Sequence, residues 1–151
     1  MKNCLSILST FLILHATSQG YLSQRLGVYK SHQVVVNEVV ISTSYGNVKV
    51  SALQDDVIHI IIVKDKFREK ANYAVLEDST ITFDQIKDEK DYLILETASL
   101  TIKIRKRPIN FAFLDKNGRV INQDDEMGVR WIGDQVTNYK TLFDGEKFIG
   151  L

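Results

Sequence analysis

The sequence of 151 residues has room for one ordinary domain and not two. Hydrophobic residues make up 44% and charged residues 25%, a balance that excludes an intrinsically disordered chain. Nineteen basic residues offset nineteen acidic ones, so the electrostatic footprint of a nucleic-acid binder is missing, and the densest basic run, Arg105-Lys106-Arg107, reads as a solvated strand end.

The N-terminus differs from the rest. Lys2 precedes an apolar run over residues 5–14, and Ala16-Thr17-Ser18 supplies the small residues of a cleavage site. The run is too short to anchor in a bilayer. A buried N-terminal helix is the competing reading, but the flanks favour a signal peptide over residues 1–18. The expectation is export to a periplasmic or extracellular space, with residues 19–151 as the mature domain. Cys4, the only cysteine, precedes the apolar run, so no lipid anchor is expected. The mature domain then has neither a disulfide nor thiolate ligands for structural zinc, and its stability must come from an ordinary core.

From Gly27 onward the hydrophobic period is two, the signature of strands. Residues 33–36 lead into a strand over 39–43, Tyr45-Gly46-Asn47 turns the chain, and 48–50 alternate on the return. Asp55-Asp56 marks the next turn. The run Val57–Val63 is so continuously apolar and β-branched that it predicts a strand covered on both faces. Residues 64–70 are charged, with one Phe and no clear helical face, and read as a loop or a brief turn of helix. Short strands are expected at 73–76 and 80–83, then at 92–95 and 100–104 around Thr97-Ala98-Ser99. Pro108, the sole proline, suits a strand start or a sheet edge because it lacks an N–H. Residues 109–114 continue extended, and Asp115-Lys116-Asn117-Gly118 is a hairpin signal answered by Val120-Ile121. An acidic loop is expected at 123–126, with strands at 128–132 and 135–143 and a turn at Asp144-Gly145. Roughly ten strands at this spacing, with no long amphipathic helix, predict an all-β antiparallel sandwich.

Few residues offer chemistry. His32 and His59 have no metal-ligand spacing around them, and His59 within its apolar strand reads as a hydrogen-bonded sheet residue. No nucleophile elbow, phosphate loop or dinucleotide fingerprint occurs. Asp55/Asp56 and Asp124/Asp125 are paired carboxylates, but glycoside hydrolysis needs two carboxyls facing each other across a sugar. Adjacent acids on a turn usually diverge, so Asp55/Asp56 reads as turn chemistry, and Asp124/Asp125 as an acidic loop that at most touches calcium or sugar. Trp131, the only tryptophan, fits two roles. It either seals one sheet, the commoner fate of a large aromatic, or presents an indole on which a sugar stacks, with Arg130 and Asp134 as hydrogen-bonding neighbours.

The second half carries an ordered set of motifs. Leu95-Glu96-Thr97-Ala98-Ser99-Leu100-Thr101-Ile102-Lys103-Ile104 is followed by Arg107-Pro108-Ile109-Asn110-Phe111 and Phe113-Leu114-Asp115-Lys116-Asn117-Gly118. Asn138-Tyr139-Lys140 and the closing Gly145-Glu146-Lys147-Phe148-Ile149-Gly150-Leu151 complete it. In order and spacing this resembles the N-terminal domain of glycoside hydrolase family 31, the α-glucosidase and α-xylosidase family, over approximately residues 25–151. The resemblance implies a galactose-mutarotase-like β-sandwich whose partner is a catalytic (β/α)8 barrel. In that family the closing Phe-Ile-Gly-Leu runs on into Gly-Glu, a sugar-contacting loop and a barrel bearing two catalytic aspartates, all beyond Leu151. Barrel sites are built from loops at strand C-termini, so no catalytic residue, cofactor or metal is carried over and the chain alone is expected to be inactive. Residues 148–151 would form an apolar contact surface. The expected role is a non-catalytic accessory domain of an exported α-glycosidase, which shapes the barrel. The alternatives are a free-standing carbohydrate-binding sandwich of the cell envelope, touching α-linked oligosaccharide, and a gene fragment without a function of its own.

Overall fold

The computed structural model describes residues 23–67, 81–133 and 135–145. The signal segment, the strand expected at 73–76, Asp134 and the apolar end at 148–151 lie outside the described residues. Every regular element among the described residues is a strand, and all of the pairings are antiparallel. In chain order they are β1 (Ser23–Arg25), β2 (Tyr29–Val35), β3 (Glu38–Thr43), β4 (Asn47–Gln54), β5 (Val57–Val63), β6 (Gln85–Asp88), β7 (Tyr92–Glu96), β8 (Leu100–Lys106), β9 (Ile109–Asp115), β10 (Val120–Ile132) and β11 (Gln135–Lys140). One sheet has four strands in the order β2-β3-β4-β5. The other has seven, in the order β1-β10-β9-β8-β7-β6, with β11 also paired to β10.

Alternation builds the core between them. In β3 every second residue is buried, so Val39 and Ile41 point inward beside Val48 and Val50 of β4. From the larger sheet Leu93 and Leu95, Ile102 and Ile104, and Ile109 and Phe111 meet them. Each fully buried Leu or Ile removes enough apolar surface from water to contribute about 1.5–3 kcal/mol. The antiparallel β-sandwich read from the sequence is the fold observed.

Four local expectations are corrected. Val57–Val63 is an edge strand among the described residues, and none of its side chains is fully buried. Ile58, Ile60 and Ile62 pack on the core, while the alternate residues lie on the outer face. Of the strand expected at 80–83, the described residues 81–83 hold a single bridge, Ile81 to Ala52, and among the described residues the edge strand β6 follows at Gln85–Asp88. Its polar composition hid it, because only Ile86 faces the core. Pro108 sits in the two-residue turn between β8 and β9, immediately before the strand start. The acidic stretch at 123–126 is no loop: it lies inside the thirteen-residue β10. That strand is broken by a register shift between Asp124 and Val129.

Candidate functional site

The outer face of the larger sheet is concave, and simple alternation decides what lines it. In β8, Ile102 and Ile104 turn inward, which sends Lys103 and Arg105 outward. Ile94 lies opposite Lys103 on β7, and Tyr92 opposite Arg105. On β9, Ala112 and Asn110 lie opposite the same two cations. Together they line a groove of about 590 Å³ whose far wall is β10 at Gln123 to Glu126.

That wall is bent and held by a buried acid. The Asp124 side chain is fully inaccessible; its Oδ2 accepts the Phe111 N–H at 2.9 Å, and Lys140 Nζ lies 2.7 Å from Oδ1. A carboxylate removed from water is tolerated when a cation and an N–H donor both meet it. The register shift also requires a glycine. Gly128 has φ +56°, and a Cβ there would stand 3.2 Å from Asn110 Oδ1. Asn110 completes the join by donating its Nδ2 hydrogen to the Asp125 carbonyl at 2.5 Å.

A second polar cluster joins the edges of the two sheets. Tyr29 Oη and His32 Nδ1 share a hydrogen bond at 2.7 Å, and His32 Nδ1 lies 3.8 Å from the Asp88 carboxylate. Lys106 pairs with Asp88 and places its ammonium 4.7 Å from the centre of the Tyr29 ring. Burial first, and then the Asp88 charge, push the Tyr29 phenol above its ordinary value of 10.0, with Lys106 acting in the opposite direction. Lys106 of the basic run therefore faces this cluster, while Arg105 faces the groove.

The residues singled out in the sequence do not converge. Trp131 is 4% exposed and belongs to the core cluster. A Cβ on Gly46 would come within 3.0 Å of its indole and 2.6 Å of the Val63 carbonyl, so only glycine admits this contact. The indole thus offers no free face for stacking. Arg130 donates to the Met127 carbonyl at 3.2 Å and to Ser23 Oγ at 3.3 Å. Asp55 and Asp56 are exposed in the β4–β5 turn, where the Asp55 carbonyl accepts the Thr97 hydroxyl hydrogen. His59 is half-buried opposite Ser51 on the outer face of the smaller sheet. No group of three or more His, Cys, Asp or Glu side chains gathers as metal ligands among the described residues. Sequence reasoning missed the groove. The Lys-Ile-Arg alternation at 103–105, opposite Tyr92 and Ile94, was its only signal.

Comparisons with known proteins add an identity to this architecture. Two solved structures of a GH31 dextranase from Flavobacterium johnsoniae superpose well, a mutant form complexed with isomaltotriose at TM-score 0.70 and a glucose complex at 0.69. Each is 22% identical, and each match covers 81% of this chain and 16% of that one. The chain therefore spans about one sixth of the length of the enzyme it superposes on. No curated protein matches the sequence. Residues 47–151 match the model of the glycosyl hydrolase 31 N-terminal galactose mutarotase-like domain, and the chain belongs to that domain family.

Proposed function

We propose that the chain is the exported, non-catalytic N-terminal accessory domain of a family 31 α-glycosidase, serving carbohydrate breakdown by packing on and shaping a catalytic barrel. The observation that supports this reading is the family match over residues 47–151 on an antiparallel sandwich that superposes on part of a GH31 dextranase. The paired acids fit a non-catalytic role. Asp124 is committed to Phe111 and Lys140, and Asp55 and Asp56 are exposed on a turn rather than facing each other across a cleft. What such a domain supplies is a rigid sheet against which barrel loops take one arrangement, so that substrate groups meet the catalytic carboxylates in register.

The test is to read the frame past the Leu151 codon and express the encoded barrel with and without residues 19–151. The barrel without the domain should lose solubility or most of its kcat/KM toward aryl α-glucosides, and adding the domain back should restore part of it. The domain alone should not turn these substrates over. A barrel that is fully active and stable without the domain would overturn the accessory role. Intact mass of the protein from the periplasmic fraction tests export, and a species retaining Met1 in the cytoplasm would count against it.

A further inference from the structure

An edge strand presents a row of backbone N–H and C=O groups that another strand can pair with, and most edges are blunted against this by charge, shortness or a bulge. Among the described residues the sheet edges follow that pattern, with one exception. β1 has three residues and carries Arg25, and β6 has four and carries Lys87 and Asp88. In β2 the extra residue at the register shift between Tyr29 and Ser31 is Lys30, so that edge is both bulged and charged. β5, at the opposite edge of the smaller sheet, has seven residues with no charged side chain, no glycine and no proline. The register shift in its pairing falls in β4, between Ala52 and Gln54, so Val57–Val63 runs without an extra residue of its own.

The order Val-Ile-His-Ile-Ile-Ile-Val reads the same in both directions, except that His59 answers Ile61. A contact across a twofold axis sets one patch against itself, and a strand that nearly mirrors itself suits it. With the axis through Ile60 and perpendicular to the sheet, Val57 meets Val63 of a second copy, Ile58 meets Ile62 and His59 meets Ile61. Alternation keeps each side chain on its own face in this register. Ile58, Ile60 and Ile62, which pack on the core while only partly buried, would extend the core face across the junction. Val57, His59, Ile61 and Val63 would extend the outer face. No like charges are brought together, since Lys49, opposite Ile61 on β4, is already paired with Glu38 at 2.9 Å. We propose that β5 pairs antiparallel with β5 of a second copy of this chain about a twofold axis at Ile60, joining the two smaller sheets into one.

Two seven-residue edges make a small interface, for which association is weak, so the test is sedimentation velocity of the chain from about 10 to 500 μM. Amide hydrogen exchange over residues 57–63 is followed across the same range. A monomer–dimer equilibrium is expected, and the alternate β5 amides not bonded to β4 should exchange more slowly as the dimer fills. Val57→Lys and Val63→Glu each set a charge against a valine at two symmetric places, and each should weaken the dimer about tenfold. Mixed in equal amounts, the two variants should associate about as well as wild type, because the new ammonium then meets the new carboxylate at one place and two valines meet at the other. Both positions lie on the outer face, so thermal midpoints at low concentration should stay near wild type, which separates lost pairing from lost folding. A chain that stays monomeric up to about 500 μM would overturn the proposal. So would a dimer that neither variant weakens, or one that mixing does not restore, since the contact would then lie elsewhere or in another register. Slow exchange of the same amides in the monomer would overturn it as well and would assign the edge to cover by the chain itself. Slow exchange that appears only when a catalytic barrel is added would assign the edge to the barrel and overturn it too. Failure here would leave the accessory role standing, because that role is read from barrel activity and not from self-association.

Discussion

The two halves of β10 belong to one strand and are stabilised by opposite means. Residues 120–124 pair with β9 on one side and reach Lys140 on the other, and the side chain buried there is a charged one, Asp124. After the register shift, residues 129–132 run between β1 and β11 and bury Val129 and Trp131. The first half curls to make the groove wall and the second closes the sandwich. The contrast teaches that the bend, not the composition of either half, lets one strand serve both a polar surface and an apolar core.

The sharpest way to break this comparison is at its apolar end. Trp131→Ala should cost about 3–5 kcal/mol in urea unfolding, the range for a large aromatic removed from a packed core. The cost should come without any change in the groove, which the amide spectrum of Tyr92 and Lys103 would report. A loss below about 1 kcal/mol would mean that the second half does not close the core.

The charged end comes next. Asp124→Ala leaves the Phe111 N–H without its acceptor and Lys140 without its partner, and should cost about 2–4 kcal/mol. Adding Lys140→Ala should recover part of this loss, because the stranded cation is then gone. A double-mutant cycle measures that coupling, and strictly additive costs would show that Asp124 acts through Phe111 alone.

A smaller effect of opposite sign serves as a control far from β10. Val36 in the β2–β3 turn has φ +54° and is 85% exposed, so a β-branched side chain occupies left-handed backbone there with little packing to justify it. Val36→Asn should stabilise the domain by about 1 kcal/mol, read as a higher urea midpoint at unchanged slope, and should leave the Asp124–Lys140 coupling untouched. The smallest expected effect is the pH response of the other polar cluster. The Tyr29 phenol is raised in the folded state, so its contribution is complete below the unfolded value of about 10 and is lost as pH rises through the folded value. Urea midpoints from about pH 9 to 11 should fall less steeply for Tyr29→Phe than for wild type. Equal slopes would show that the phenol does not carry the linkage.

The all-β sandwich, the turns at 45–46, 55–56 and 116–118, and most core positions were determined by the sequence itself. They rest on alternation and turn chemistry, which act over a few residues. Val39 and Ile41, or Ile102 and Ile104, announce an inward face wherever they fall in the fold. Three things were decided only by tertiary structure. Val57–Val63 reads as a strand covered on both faces because its Ile and Val residues occupy both sides of the pleat, and only the packing of the sheets shows that Ile58, Ile60 and Ile62 meet the core while the alternate residues lie on the outer face. The stretch at 123–126 reads as a loop because its acids suggest water. Only the approach of Lys140 and the Phe111 N–H, 16 residues after and 13 before Asp124, makes burying that carboxylate affordable. The groove was hidden for the same reason. Tyr92, Lys103, Asn110 and Gln123 come from four strands, and only long-range pairing and the bend at Gly128 bring them onto one concave face.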